Sequence, residues 1–175
     1  MTKYTLCLLN KNYSSWSIRC LLVARFVQLP VEIHMNYMDD PDWKQKMQKV
    51  SPTVKAPSLI VTEDSGKSYI VWESLSILEY LIELYPELLP KNREERSLAR
   101  SVSAEMHAGF LKIRNVMPYN LRGRKQLSAE TLGDQDLQKE IHRIIKIWEE
   151  CRLKTISKNS CEDEGFLFGK FTVAD

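Results

Sequence analysis

Three short stretches hold residue types that could bind or activate a small polar molecule. Ser14–Ser15–Trp16–Ser17 stands directly before Ile18, Leu21, Leu22 and Phe26, whose i, i+3, i+4 spacing predicts an amphipathic helix. Serine is favoured at a helix N-cap. A hydroxyl on Ser14 or Ser15 would therefore lie beside unpaired N–H groups, where negative charge is stabilised. Glu73–Ser74 stands in the same way before Ile77, Leu78, Leu81 and Leu84. There the helix start favours a carboxylate, and the Glu73 side chain suits an ammonium group. A plain cap, in which Ser74 satisfies only its own helix, is the alternative. Between the two lies Lys55–Ala56–Pro57. An X–Pro bond adopts cis at little cost, which would turn the Ala56 backbone outward to pair, strand fashion, with an extended ligand. A trans proline opening an edge strand is the other possibility.

The surrounding pattern supplies elements to hold these stretches. Tyr4–Leu9 is a short apolar run closed by Asn10–Lys11–Asn12, read as a buried strand and a loop. Val31–Met35 alternates as a second strand, and Pro41 opens a helical segment reaching Lys49. Ser58–Val61 and Ser68–Val71 flank Glu63–Asp64–Ser65–Gly66–Lys67, the pattern of a hairpin. The order β-α-β-α-β-β-α predicts a small mixed sheet covered by helices over residues 1–85. Residues 86–92 read as a linker, and 93–175 as a helical domain. Leu98, Val102, Met106, Phe110, Ile113 and Val116 mark one long helix closed by Pro118; Leu137, Ile141, Ile144, Ile145, Trp148 and Cys151 mark another.

Bulk properties narrow the function classes. The 175 residues carry 25 basic and 23 acidic side chains, a net charge of +2, so no large field draws nucleic acid or an anionic membrane. No run approaches the roughly 18 apolar residues of a membrane span, and Met1–Thr2–Lys3 opens no signal peptide. A cytoplasmic location is the resulting expectation. Cys7, Cys20, Cys151 and Cys161 are scattered, without metal-binding or redox spacing, and are expected to be free thiols. His34, His107 and His142 form no ligand pair, so no metal is expected.

Taken together and in order, the motifs resemble those of cytosolic glutathione S-transferases. Ser14–Ser15–Trp16–Ser17–Ile18–Arg19 resembles the serine motif opening the first helix of zeta-class and related bacterial members. Val54–Lys55–Ala56–Pro57–Ser58–Leu59 resembles their K-x-V-P-x-L segment, and Glu73–Ser74–Leu75–Ser76–Ile77–Leu78–Glu79–Tyr80–Leu81 their E/Q-S-x-A-I-x-x-Y-L. The resemblance implies a thioredoxin-like α/β N-terminal domain followed by an all-α C-terminal domain. It also implies glutathione as co-substrate, no metal, a homodimer, and a detoxifying conjugation of the glutathione thiol to a small hydrophobic electrophile. Ser14, with Ser15 beside it, would hold the thiolate. Lys55, Ala56, Pro57, Glu73 and Ser74 would bind glutathione, whose γ-glutamyl end carries both a carboxylate and an ammonium.

Glutaredoxin-type enzymes on this scaffold place a nucleophilic cysteine where Ser14–Ser15 stand, so thiol–disulfide exchange is disfavoured. Trp16 replaces the cysteine of the zeta motif, which separates this chain from the zeta isomerase pattern. The stretch from Glu105 to Arg114 resembles bacterial members on the helix facing the active site. Trp16, Met106, His107, Phe110 and Arg114 are thus candidates for the second-substrate pocket, although Met106 and Phe110, spaced i, i+4, equally suit a core stripe. Gly169–Asp175 resembles the family's G-x-F-S/T-x-A-D segment, with Thr172 and Asp175 forming a capping box. Members continue beyond it, so a truncated helical domain is expected, with bare apolar surface at Trp148 and Phe166–Leu167–Phe168. Two further functions stay open: a catalytically weak binding or regulatory protein, and a glutathione-dependent cis-trans isomerase of the zeta type.

Overall fold

The computed structural model describes residues 1–158 and 161–175. The chain forms two compact units, one of residues 1–85 with 119–122, the other of residues 86–118 with 123–175.

The first unit follows the sequence pattern closely. Strands β1 (Lys3–Leu8), β2 (Val31–Met35), β3 (Ser58–Thr62) and β4 (Ser68–Trp72) alternate with helices α1 (Ser15–Phe26), α2 (Trp43–Gln48) and α3 (Ser74–Leu84). The sheet order is β2-β1-β3-β4. β1 and β2 run parallel, while β3 is antiparallel to both β1 and β4. The β3–β4 turn depends on Gly66, whose φ of 82° suits a residue without a Cβ.

Register shows which side chains share a face. Tyr4, Val61 and Tyr69 stand side by side across three strands, as do Leu6, Leu59 and Val71. Tyr80 of α3 packs edge-on against Tyr4 and Tyr69 on that face, each at 6.5 Å between ring centroids. Leu6, Leu8, Leu59, Val61, Ile77 and Leu81 are fully buried there, each contributing about 1.5–3 kcal/mol by leaving water.

Cys20 is enclosed where α1 meets α3, and its Sγ lies 3.6 Å from Ser74 O. Burial pushes its thiol from 9.0 up to about 12, a rise that the nearby Arg19 charge opposes. Burial raises Cys7 and Cys151 as well. The unfolded chain loses the Cys20 proton near its ordinary value while the folded chain keeps it. Above pH about 9 the folded state therefore binds more protons, and stability falls by up to about 1.4 kcal/mol per pH unit for this group. Urea melts across alkaline pH should show that decline, and Cys20→Ala should flatten it.

The second unit is helical: a 3-10 turn at Pro86–Leu88, then α4 (Arg93–Ala108), α5 (Leu111–Val116), α6 (Ala129–Leu132) and α7 (Gln135–Ile156). The single long helix expected from Leu98 to Val116 is broken in two. Gly109 closes α4, and Phe110 takes a left-handed conformation with φ 64°. A side chain at Gly109 would put its Cβ 3.1 Å from Glu105 O, a tight contact that glycine avoids. Charged groups from elsewhere satisfy both sides of the break. Arg114 Nε donates to Gly109 O at 3.1 Å and Arg114 Nη2 donates to Met106 O. The Glu140 carboxylate of α7 accepts from Lys112 N and Ile113 N, at 3.2 and 2.9 Å.

The helical core joins Val102, Phe110, Ile147, Cys151 and Leu167, with Leu98, Met106, Ile113 and Ile144 packed around it. The capping box at Thr172 forms: its N and Oγ1 donate to Asp175 Oδ2 at 2.8 and 3.0 Å. Trp148 is 51% exposed, and Ile145 and Ile156 of the same helix are exposed too. The bare surface expected at Phe166–Phe168 is not there as a block. Leu167 enters the core, and Phe166 packs edge-on against Phe171.

Candidate functional site

One edge of the sheet in the first unit gathers all three chemistry-bearing stretches. Cys7, Ser58 and Trp72 form a register row across β1, β3 and β4. Because β3 runs against its neighbours, the end of β1, the start of β3 and the end of β4 lie together. Just beyond that row come the loop into α1, the Ala56–Pro57 bond, and Glu73–Ser74 at the start of α3.

Ser14 is the N-cap of α1. Its Oγ accepts from Ser17 N at 3.2 Å and donates to Ser17 Oγ at 2.9 Å. Ser17 is fully buried and its Oγ also accepts from Leu9 N at 3.1 Å, so it fastens the helix start to the end of β1. The hydroxyl proton of Ser14 is thus already engaged. Ser15, in the first turn and only partly buried, is the neighbouring hydroxyl. Ser17 was not singled out in the sequence; its signal was the Ser-x-x-Ser spacing from the cap.

The Ala56–Pro57 bond is cis, as the sequence allowed. Pro57 is buried, while Lys55 is exposed and Ala56 half-buried. Pairing in β3 begins only at Ser58, which leaves the Ala56 backbone clear of the ladder. Val54 just ahead has φ 56° and Glu73 has φ 68° with ψ 131°. Both are conformations that non-glycine residues adopt at a cost of order 1–3 kcal/mol, and such positions cluster at ligand clamps. Glu73 is exposed and makes no capping bond to its own helix. Ser74 is 2% exposed.

Residues 8–91 match the protein family described as glutathione S-transferase, N-terminal domain. The part of the chain that carries the three motifs is thus similar to the glutathione S-transferase N-terminal domain. Among curated relatives, a probable maleylacetoacetate isomerase of Caenorhabditis elegans is 28% identical over 120 residues, covering 65% of this chain and 54% of its own length. The matches span about half the length of these relatives. Two solved structures share the fold. A glutathione transferase homolog from Burkholderia gl BGR1, with bound glutathione, superposes with TM-score 0.65 at 23% identity, covering 99% of this chain and 77% of that one. Glutathione transferase Omega 2C from Trametes versicolor gives 0.66 at 18% identity, covering 99% and 69%.

The residues expected to line a second-substrate pocket have other engagements. The Arg19 guanidinium lies over the Trp16 ring, 4.5 Å from its centroid, a cation–π contact on the surface of α1. Phe110, 8% exposed, is a member of the helical core, and Met106 packs against it. The apolar stripe is therefore core, the alternative the spacing had left open. Arg114 closes the α4–α5 break rather than projecting from a continuous helix, and burial draws its basicity down. His107 stands in the last turn of α4 and is half-buried.

Among the described residues, no group of three His, Cys, Asp or Glu side chains could hold a metal ion. No described helix is long and apolar enough to cross a membrane.

Proposed function

We propose that this chain binds glutathione along the shared sheet edge and activates its thiol for attack on a small hydrophobic electrophile. The observation that supports this most directly is the convergence of the α1 start, the cis Ala56–Pro57 bond and Glu73–Ser74 on one edge of a single unit. In this assignment the unpaired Ala56 backbone aligns the peptide, with Lys55 and Pro57 shaping that loop. Ser74 and the α3 N–H groups receive the γ-glutamyl carboxylate, and Glu73 receives its ammonium.

The thiol is the chemical problem. A free thiol has a pKa of roughly 8.5, so little is ionised near neutrality. Lowering that value by two units takes about 2.7 kcal/mol. One hydrogen bond to a charged sulfur contributes about 1.5–3 kcal/mol, and the α1 N-terminus adds to it. Ser15 is assigned as the donor. Ser14 would have to give up its bond to Ser17 Oγ to reach the sulfur, so its role is to hold the helix start in place. The domain bounds proposed are 1–85 and 93–175 with 86–92 between them, in a cytoplasmic homodimer of detoxifying type.

Glutathione-dependent isomerisation is the second reading, favoured by the name maleylacetoacetate isomerase carried by the curated relatives. Both require the same thiolate.

Calorimetric titration tests their common root. Glutathione should bind saturably, and cysteinylglycine, which lacks the γ-glutamyl group, should bind far more weakly. Equal affinity for the two would remove Glu73 and Ser74 from the site, and the absence of any glutathione binding would remove the function.

A further inference from the structure

The four residues Tyr119–Arg122 are flanked on both sides by the helical unit, yet they group with the first unit. Their attachment is specific. Leu121 N donates to Asn12 O at 3.1 Å, and Asn12 Nδ2 donates to Asn120 Oδ1 at 3.1 Å. Asn120 is itself held, because its Oδ1 also accepts from Arg122 N at 3.1 Å. The Asn12 N–H in turn donates to Asn10 Oδ1 at 2.9 Å, and Asn10 O receives Tyr13 N and Ser14 N. Asn12 therefore sits at the centre of the turn that delivers Ser14 and Ser15, and only Tyr13 separates it from the cap.

The Asn12 side chain shows what fixes it. Its Oδ1 is buried without a hydrogen-bond partner, an arrangement that buried amides avoid. The amide is oriented by its bond to Asn120 and not by satisfaction of both its own ends.

We infer that Tyr119–Arg122 is a clamp, and Asn12 and Asn120 positioning residues, that hold the serine loop so a hydroxyl meets the glutathione sulfur. The clamp rests on the function proposed above. It acts through geometry, since a displacement of about 1 Å in a reacting group can cost a hundredfold in rate. Neither asparagine touches the reacting atoms.

The experiment compares wild type, Asn120→Ala and Asn120→Asp, the last keeping an acceptor for Asn12 Nδ2 and Arg122 N. The pH dependence of thiolate ultraviolet absorbance with bound glutathione reads the pKa of the sulfur. Asn120→Ala should raise it by about one unit, a tenfold loss of thiolate near neutrality. It should lower kcat while leaving the KM for glutathione near the wild-type value, and Asn120→Asp should restore both. An unchanged thiol pKa in Asn120→Ala would overturn the clamp, as would equal losses in both variants or a change confined to the melting temperature. If the wild type binds glutathione without acidifying its thiol, the proposed activation fails first, and the clamp with it.

Discussion

Ser15→Ala should lower kcat/KM for a standard aryl halide about 10- to 150-fold, the loss of one charge-assisted hydrogen bond of about 1.5–3 kcal/mol. The bound thiol should revert toward its free pKa, so the activity that remains rises with pH where the wild type is flat. Ser14→Ala should behave differently. It removes the cap bonds to Ser17 N and Ser17 Oγ, so about 1 kcal/mol of stability should disappear, with a smaller loss of turnover. Steady-state kinetics and urea melts on the two variants separate the roles. If Ser14→Ala abolishes activity while Ser15→Ala retains it, the assignment of the two hydroxyls is reversed. The distinction rests on one proton: the Ser14 hydroxyl is committed to a fully buried acceptor, and redirecting it would leave that acceptor with one donor fewer.

Arg114→Ala should destabilise the chain by about 2–4 kcal/mol while leaving glutathione affinity unchanged. The guanidinium closes the end of α4 through Gly109 O and Met106 O, and each hydrogen bond from a charged donor contributes about 1.5–3 kcal/mol, with incomplete additivity. Removing it strands carbonyls at a helix end that is already interrupted. Calorimetric unfolding with a parallel glutathione titration checks both halves. A stable variant with altered electrophile preference would return Arg114 to the substrate pocket. Arg114→Lys should recover only part of the loss, because an ammonium lacks the planar fork that reaches two carbonyls together.

The break between α4 and α5 is not legible in local spacing. The apolar positions from Leu98 to Val116 keep helical spacing through Gly109, and periodicity alone carries a helix across a glycine at a cost of only about 1 kcal/mol. The break depends on groups far away in sequence. Glu140 supplies acceptors for the start of α5, 27 and 28 residues from their donors, and no local pattern announces that pairing. With the break in place, Phe110 turns into the helical core.

Local chemistry determined most of the first unit. Strand alternation, the Ser14 cap, the hairpin glycine at Gly66 and the cis-capable Pro57 are all properties of neighbouring residues, so the order β-α-β-α-β-β-α and the stretches bearing the site could be read directly. Tertiary structure decided which atoms are available. Ser14 and Ser15 are alike as a dipeptide and differ only because Ser17 lies buried against Leu9. No local pattern sets Asn120 apart, and only the fold joins it to Asn12 across 108 positions. A hydroxyl or amide carries its donors in its own chemistry, but whether they are engaged depends on what the folded chain brings within about 3 Å.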